Sequence, residues 1–404
     1  MVGFRTRSFI PSPYHPSDPI GHTPFTEAFI RGIGDGRHML TTLVGLPVSA
    51  LDTPALLVDI ETMDRNIAHI AGTLREHGVQ WRPHAKGHKC PTITHRQMAA
   101  GAIGVTVAKV SEAEVMAASG VMDILIANQV VGSIKTRRLA ALIAATGADV
   151  IVCVDNPANV RELDDAAAAF EVEPRVLVEV DSGMKRCGVA PGEPTVELAR
   201  IVDGSPHLRF AGVMAWEGHT VSMADHETRR EEIVKAIVKL TGAAEAVRAA
   251  GLPVDIVSCG GSGTYLHTAP QPGITEVQAG GATMGDGFYR ALESPVEPAL
   301  TLLATVTSRP AEDRIVIDAG RRAIDPSQKA PVARDVDGVQ SIRFSAEHGI
   351  LTLDSPAEWP RVGDRIELEV NYTDQAVHLH ESLFGMRDGV IAAVWPVAGR
   401  GRMQ

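Results

Sequence analysis

The stretch WRPHAKGHKC, residues 81–90, sets His84, Lys86, His88 and Lys89 close together directly after an apolar-ended run. A lysine amine that is partly desolvated and flanked by other cations is activated as a nucleophile, able to form a Schiff base with a carbonyl compound. A solvated basic loop is the alternative reading of the same residues. Further along, SCGGSGTY (258–265) ends an apolar run in a glycine-rich turn. Such a turn offers backbone N–H groups to a phosphate, and Gly263 leaves room for close approach. Ser262, Thr264 and Tyr265 can add hydroxyl donors. QAGGATMGDGFY (278–289) is a second glycine-rich turn, although turns of this kind also join strands to helices with no ligand present. A Schiff-base lysine at Lys86 together with a phosphate cradle specifies pyridoxal 5′-phosphate as cofactor.

Those residues need a scaffold that delivers loops to one place. From about residue 54 short apolar runs alternate with amphipathic segments. ALLVDI (55–60) reads as a buried strand, and in the segment after it Met63, Ile67, Ile70 and Leu74 recur at helical spacing until Gly78. GVTVAKV, DILIAN, DVIVCVD, RVLVEVD, RFAGVMAW and PVDIVSCGG repeat the rhythm, most of them followed by a helical pattern. The repetition predicts a parallel (β/α)8 TIM-like barrel over residues 51–295, with its site at the C-terminal ends of the strands. Beyond about residue 295 strand-like runs dominate, which predicts a smaller C-terminal β-rich domain over residues 296–404. Residues 1–50, rich in proline near the start, read as an irregular arm packing on a partner subunit.

A net charge of −11 argues against nucleic acid, which demands a basic stripe. With 45% hydrophobic and 22% charged residues and no long apolar span, the chain reads as a globular protein that does not cross a membrane. Cys90, Cys153, Cys187 and Cys259 show no CxxC spacing, so a reducing cytoplasm is the expected compartment.

In order along the chain, LDTPALLVDIETMDRNI, RPHAKGHK, VEVDSGMKRCGV, EGHT, SCGGSGTY and RDGVIAAVWPVAGRGR resemble the D-threonine aldolase and D-serine dehydratase family. The likeness runs from residue 51 to 402. It implies a fold-type III pyridoxal-phosphate barrel of the alanine racemase kind, a C-terminal β domain and a head-to-tail homodimer. By the same resemblance Lys86 is the Schiff-base lysine and Arg186 lies beside the cofactor's phenolic oxygen. An ion pair of Arg186 with Asp181 or Glu179 is the structural alternative. His219 is implied to act on the substrate hydroxyl, and Ser262, Gly263, Thr264 and Tyr265 to hold the phosphate.

The resemblance also implies a divalent metal, Mn²⁺ or Mg²⁺, bound by a histidine and an aspartate or cysteine two positions later. In NYTDQAVHLHE (371–381) Tyr372 occupies the histidine position and Asp374 the acidic one. A neutral phenol is a poor ligand for a hard cation. Asp374 with His378 or His380 is the candidate ligand set, with absence of a metal as the alternative. EHG (347–349) resembles a segment near the metal in relatives. The activity implied is cleavage of D-β-hydroxy-α-amino acids such as D-threonine to glycine and an aldehyde, and Asp374 favours it because cysteine at that position looks typical of the dehydratases. D-serine or D-3-hydroxyaspartate dehydration and amino-acid racemisation are the alternatives within the fold, and non-catalytic cofactor binding is a third.

Overall fold

Strands apolar at successive positions must be covered on both faces, and a parallel sheet wrapped by helices achieves this. The computed structural model describes residues 42–404. Its first strands are β1 (Ala55–Asp59), β2 (Gln80–Trp81), β3 (Val105–Val107), β4 (Asp123–Gln129) and β5 (Asp149–Val154). They are followed by β6 (Arg175–Glu179), β7 (Arg209–Met214), β8 (Ile256–Cys259) and β9 (Glu276–Val277). Eight of these form one parallel sheet in the order β2-β9-β8-β7-β6-β5-β4-β3. The Ala85 amide donates to the Thr106 carbonyl at 2.8 Å and the Thr106 amide to the Pro83 carbonyl at 2.9 Å. These bonds join the edge strands and close the barrel. Side chains alternate across its wall: Leu125, Ile151, Cys153, Leu177 and Met214 pack together as one cluster, while Ile124, Ile126, Val150, Val152, Val176 and Val178 pack in the larger core with the helices.

The helix Ile60–Glu76 buries Met63, Ile67, Ile70 and Leu74 as their spacing predicts, and Asp59 caps it by accepting from the Thr62 amide at 2.8 Å. The strand before it corrects the sequence reading. ALLVDI does not open the barrel; β1 lies in the other sheet, antiparallel to β10 (Leu300–Ala311) and parallel to β16 (Ser382–Arg387). A central strand of any sheet is buried on both faces, so its apolar run does not reveal which sheet it joins. The barrel instead starts at the short β2, and the expected 51–295 segment includes β1 although both of its sheet partners lie beyond residue 296.

The second sheet has nine strands, with core order β13-β14-β11-β10-β1-β16-β17 and β15 on β10. Here β11 is Arg314–Ile317, β12 Val332–Ala333, β13 Val339–Phe344, β14 Gly349–Leu353, β15 Arg365–Glu369 and β17 Val390–Pro396. Most of the predicted N-terminal arm lies outside the described residues. Its last part packs on its own chain, with the Gly45 amide donating to the Ile391 carbonyl at 2.8 Å and the Val48 amide to Gly389 at 2.9 Å. Among the described residues no helix is long and apolar enough to cross a membrane.

Candidate active site

The basic run follows β2 at the C-terminal mouth of the barrel, and its four ionisable residues separate by role. His84 Nδ1 accepts from the Lys86 amide at 3.3 Å, and His88 Nδ1 accepts from the Cys90 amide at 3.1 Å. Both rings thus fold the loop back on itself, two residues at a time. An accepting nitrogen must be unprotonated, in keeping with burial, which pushes His88 down to about 4 and His84 well below its usual value. Lys89 is ion-paired with buried Glu112. Lys86 alone keeps its amine half-exposed, with Asp374 Oδ2 3.9 Å away as its nearest charge.

Asp374 comes from the short turn after β15, so both sheets contribute to this point. Its Oδ1 is buried without a partner and lies 2.7 Å from where a Cβ on Gly87 would stand. Only glycine at 87 lets the carboxylate approach the loop that carries Lys86. Burial raises the Asp374 carboxyl, against the opposing pull of Lys86 and Lys89.

The glycine-rich turn after β8 is held from behind by a residue the sequence reading missed. Glu217, fully buried, accepts from Thr264 Oγ1 at 2.6 Å, Thr268 Oγ1 at 2.9 Å and the Gly260 amide at 3.3 Å. Burial raises its carboxyl, opposed by the Thr264 bond. Thr264 therefore turns its hydroxyl away from any phosphate. Tyr265 is also redirected: its ring sits in the core with the hydroxyl beside Ser294. Ser262 Oγ accepts from the Gly280 and Ala282 amides at 3.2 and 2.8 Å, tying the two glycine-rich turns together. The amides of Ser262 and Gly263 donate to nothing among the described residues. The open donors of this turn are thus the Ser262 and Gly263 main-chain N–H groups, while the Thr264 hydroxyl is bound to Glu217 and the Tyr265 hydroxyl lies in the core.

Arg186 is half-exposed, with Nη2 3.8 Å from Glu179 Oε1 at the end of β6. Glu179 also accepts from Gln129 of β4, and burial raises its carboxyl while Gln129 and Arg186 oppose the rise. Asp181 instead accepts from the Gly183 and Lys185 amides, each at 3.0 Å. His219 lies in a 3-10 turn after β7, its Nδ1 buried without a partner. Its Nε2 stands 2.9 Å from where a Cβ on Gly183 would be and is the ring nitrogen left open.

The candidate metal ligands do not converge. His378 Nδ1 faces the Asp374 main-chain carbonyl at 3.2 Å, and His380 Nε2 faces the Ala323 carbonyl at 2.7 Å. Among the described residues no three His, Cys, Asp or Glu side chains are grouped to hold a metal ion. Tyr372 packs edge-on to Phe288 at 5.2 Å between ring centroids and tilts against Tyr289 at 6.3 Å, the two phenol hydroxyls adjacent. Burial, then Asp374, raises the Tyr372 hydroxyl far above the neutral range. His348 of EHG is on the β13–β14 turn, paired with Ser345.

Under this aromatic group Asp286 accepts from the Thr373 amide at 2.6 Å and from its hydroxyl. Burial pushes its carboxyl up to about 7, the Thr373 bonds opposing and Asp374 adding. A folded-state value above the ordinary 3.8 favours folding at low pH, a gain lost as pH rises through about 7. Wild-type protein is therefore expected to lose thermal stability relative to Asp286→Asn, which cannot titrate, as pH rises from about 4 to about 7, with no further divergence above that. Parallel melting curves for the two proteins in that window would test this, and parallel pH profiles would refute it.

The sequence profile described as "Alanine racemase, N-terminal domain" matches residues 58–287, and "Putative serine dehydratase domain" matches 299–386. A D-threonine aldolase of Arthrobacter sp is 36% identical over 361 residues, 88% of this chain and 95% of that one. A 3-hydroxy-D-aspartate aldolase of Paracoccus denitrificans (strain Pd 1222) is 33% identical, covering 90% of this chain and 96% of its own. The crystal structure of D-threonine aldolase from Filomicrobium marinum superposes with a TM-score of 0.86 at 36% identity, covering 89% of this chain and 99% of that one. A racemase-type barrel that carries Lys86 at its mouth and shares a chain with a dehydratase-type sheet thus has counterparts along most of its length, and the protein belongs to the D-threonine aldolase and D-serine dehydratase-like family of the alanine racemase fold.

Proposed function

We propose that the protein is a pyridoxal-phosphate-dependent carbon–carbon lyase that cleaves D-β-hydroxy-α-amino acids to glycine and an aldehyde. The observation that carries this reading is the isolation of Lys86. It is the one cation of its loop left with a reactive amine, at the same barrel mouth as the unpaired amides of Ser262 and Gly263. The named activities of the aldolase relatives support it.

Lys86 would hold the cofactor through Nζ, the Ser262 and Gly263 amides its phosphate, and Arg186, steadied by Glu179, the ring's phenolic oxygen. The chemistry supplied by the bound cofactor is an electron sink for the pair released when Cα–Cβ breaks. His219 takes the β-hydroxyl proton at Nε2, so that the oxygen's electrons form the aldehyde carbonyl as the carbon bond opens. Gly183, lacking a Cβ, leaves that nitrogen free to approach. Glycine leaves once Cα has gained a proton in place of the broken bond, which balances the one taken up at His219, and Lys86 would then hold the cofactor again. The matched dehydratase-type domain keeps one other reading in play, loss of the β-hydroxyl to give a 2-oxo acid.

Exposed Val131 and Ile134, just beyond β4, support a homodimer in which a second copy covers this rim. Free thiols at all four cysteines support a reducing, cytoplasmic setting. The deciding experiment supplies the cofactor-loaded protein with D- and L-threonine, D-serine and 3-hydroxy-D-aspartate. Aldehyde, 2-oxo acid and enantiomer are each quantified. Aldehyde and glycine in equal amounts from the D substrates are expected; 2-oxo acid or the L enantiomer as main product would replace lyase by dehydratase or racemase.

A further inference from the structure

A hard divalent cation needs several oxygen or nitrogen donors converging within about 2.0–2.6 Å. Around Asp374 they do not converge. One side of its carboxylate faces Lys86 Nζ, 3.9 Å from Oδ2, and the other, buried and unpartnered, occupies the space a Cβ on Gly87 would fill. Two residues earlier stands a phenol, not an imidazole, locked in a three-ring cluster with Phe288 and Tyr289. The two nearby histidines contact main-chain carbonyls with one ring nitrogen each, and neither is grouped with Asp374 and a third His, Cys, Asp or Glu among the described residues. The positive charge facing the carboxylate is already present, carried by the lysine, and a dication in the same gap would stand against that ammonium.

We propose that Asp374 is the counter-ion that positions Lys86, and that no divalent cation is held between residues 372 and 374. The inference rests on the reading of Lys86 as the cofactor-bearing lysine. A carboxylate of a metal site that has lost its partner ligand is reassigned to the amine: it keeps the chain's Nζ aimed across the mouth and receives it back after each turnover. Asp374 is thus a positioning residue, acting through Lys86.

Two measurements on the cofactor-loaded protein test this. In the first, wild type, Tyr372→His and Asp374→Ala are stripped with chelator, incubated with Mn²⁺, gel-filtered and assayed for metal by elemental analysis. Wild type is expected to retain far less than one Mn²⁺ per chain, and Tyr372→His, which restores an imidazole beside the carboxylate, to approach one. One Mn²⁺ per wild-type chain, lost in Asp374→Ala, overturns the proposal whether or not Tyr372→His folds. In the second, the visible band of the bound cofactor is titrated with pH. Removing a negative charge about 4 Å from the nitrogen in Asp374→Asn is expected to move the midpoint at least about one unit lower. An unmoved midpoint overturns the counter-ion role. The visible band and the aldehyde assay report separately on the cofactor reading. If both are present and Mn²⁺ is bound, only this inference falls; if both are absent, the cofactor reading falls while metal retention still decides the question of the cation.

Discussion

Lys86→Ala is expected to lower aldehyde release by on the order of 10³-fold or more, because removal of the nucleophile leaves only binding and proton transfer. Stability should change by no more than about 0.5 kcal/mol, since the side chain is half-exposed and its ion pair is long. Lys86→Arg separates charge from reactivity: a guanidinium keeps the cation beside Asp374 but stays protonated and forms no imine. It should be as inactive as the alanine variant. Borohydride reduction of the loaded wild type followed by peptide mass spectrometry should find the cofactor on Lys86. Lys89 is committed to Glu112, so an adduct there, or on Lys109, would overturn the assignment.

Glu217→Ala should produce the largest loss of stability. It strands two hydroxyls and a main-chain N–H in a buried pocket, and each unpaired donor costs about 1–3 kcal/mol. Summed over the three donors, a loss of roughly 3–9 kcal/mol is expected, read as a lower urea midpoint, together with weaker cofactor retention as the Gly260–Thr264 turn loosens. Glu217→Gln keeps an acceptor oxygen and the volume, so it should fall between the two. An alanine variant with an unchanged urea midpoint would show that the turn is held by something else.

How far the sequence could be read depends on whether a feature is local. Lys86, the barrel rhythm and the glycine-rich turn are runs of neighbouring residues, and each keeps its signature without knowledge of its partners. The sheet that takes β1 is not local: its partners β10 and β16 lie at the far end of the chain, and an apolar pentapeptide carries no address. The turn SCGGSGTY and its family likeness offer the Thr264 and Tyr265 hydroxyls as donors, but the direction of Thr264 is set by Glu217, which lies outside the turn, and that of Tyr265 by the core it packs in. Glu217 had a usable signal, an acidic residue ending an apolar strand in VMAWEG, where burial is costly without partners. Glu179 in VLVEVD shares it. His84 and His88 look alike in chemistry to a catalytic pair, and only the amide contacts show them to be turn formers.

The placement of β1 between β10 and β16 also orders events in time. During synthesis Ala55–Asp59 leaves the ribosome long before Leu300–Ala311 exists, and at about 5–20 residues per second the gap lasts roughly 10–50 s. Through that interval an apolar strand with two unpaired edges trails from a barrel that is still being made. From β3 to β9 each barrel strand follows its neighbour in the chain and can pair as it emerges, while β2 waits for β9. The second sheet cannot assemble in the order of its residues; β1 stays unpaired until β10 is made, and its other edge until β16 follows. Lys86 and Asp374 come from segments made far apart in time, so the pairing proposed for them belongs to a late stage of synthesis.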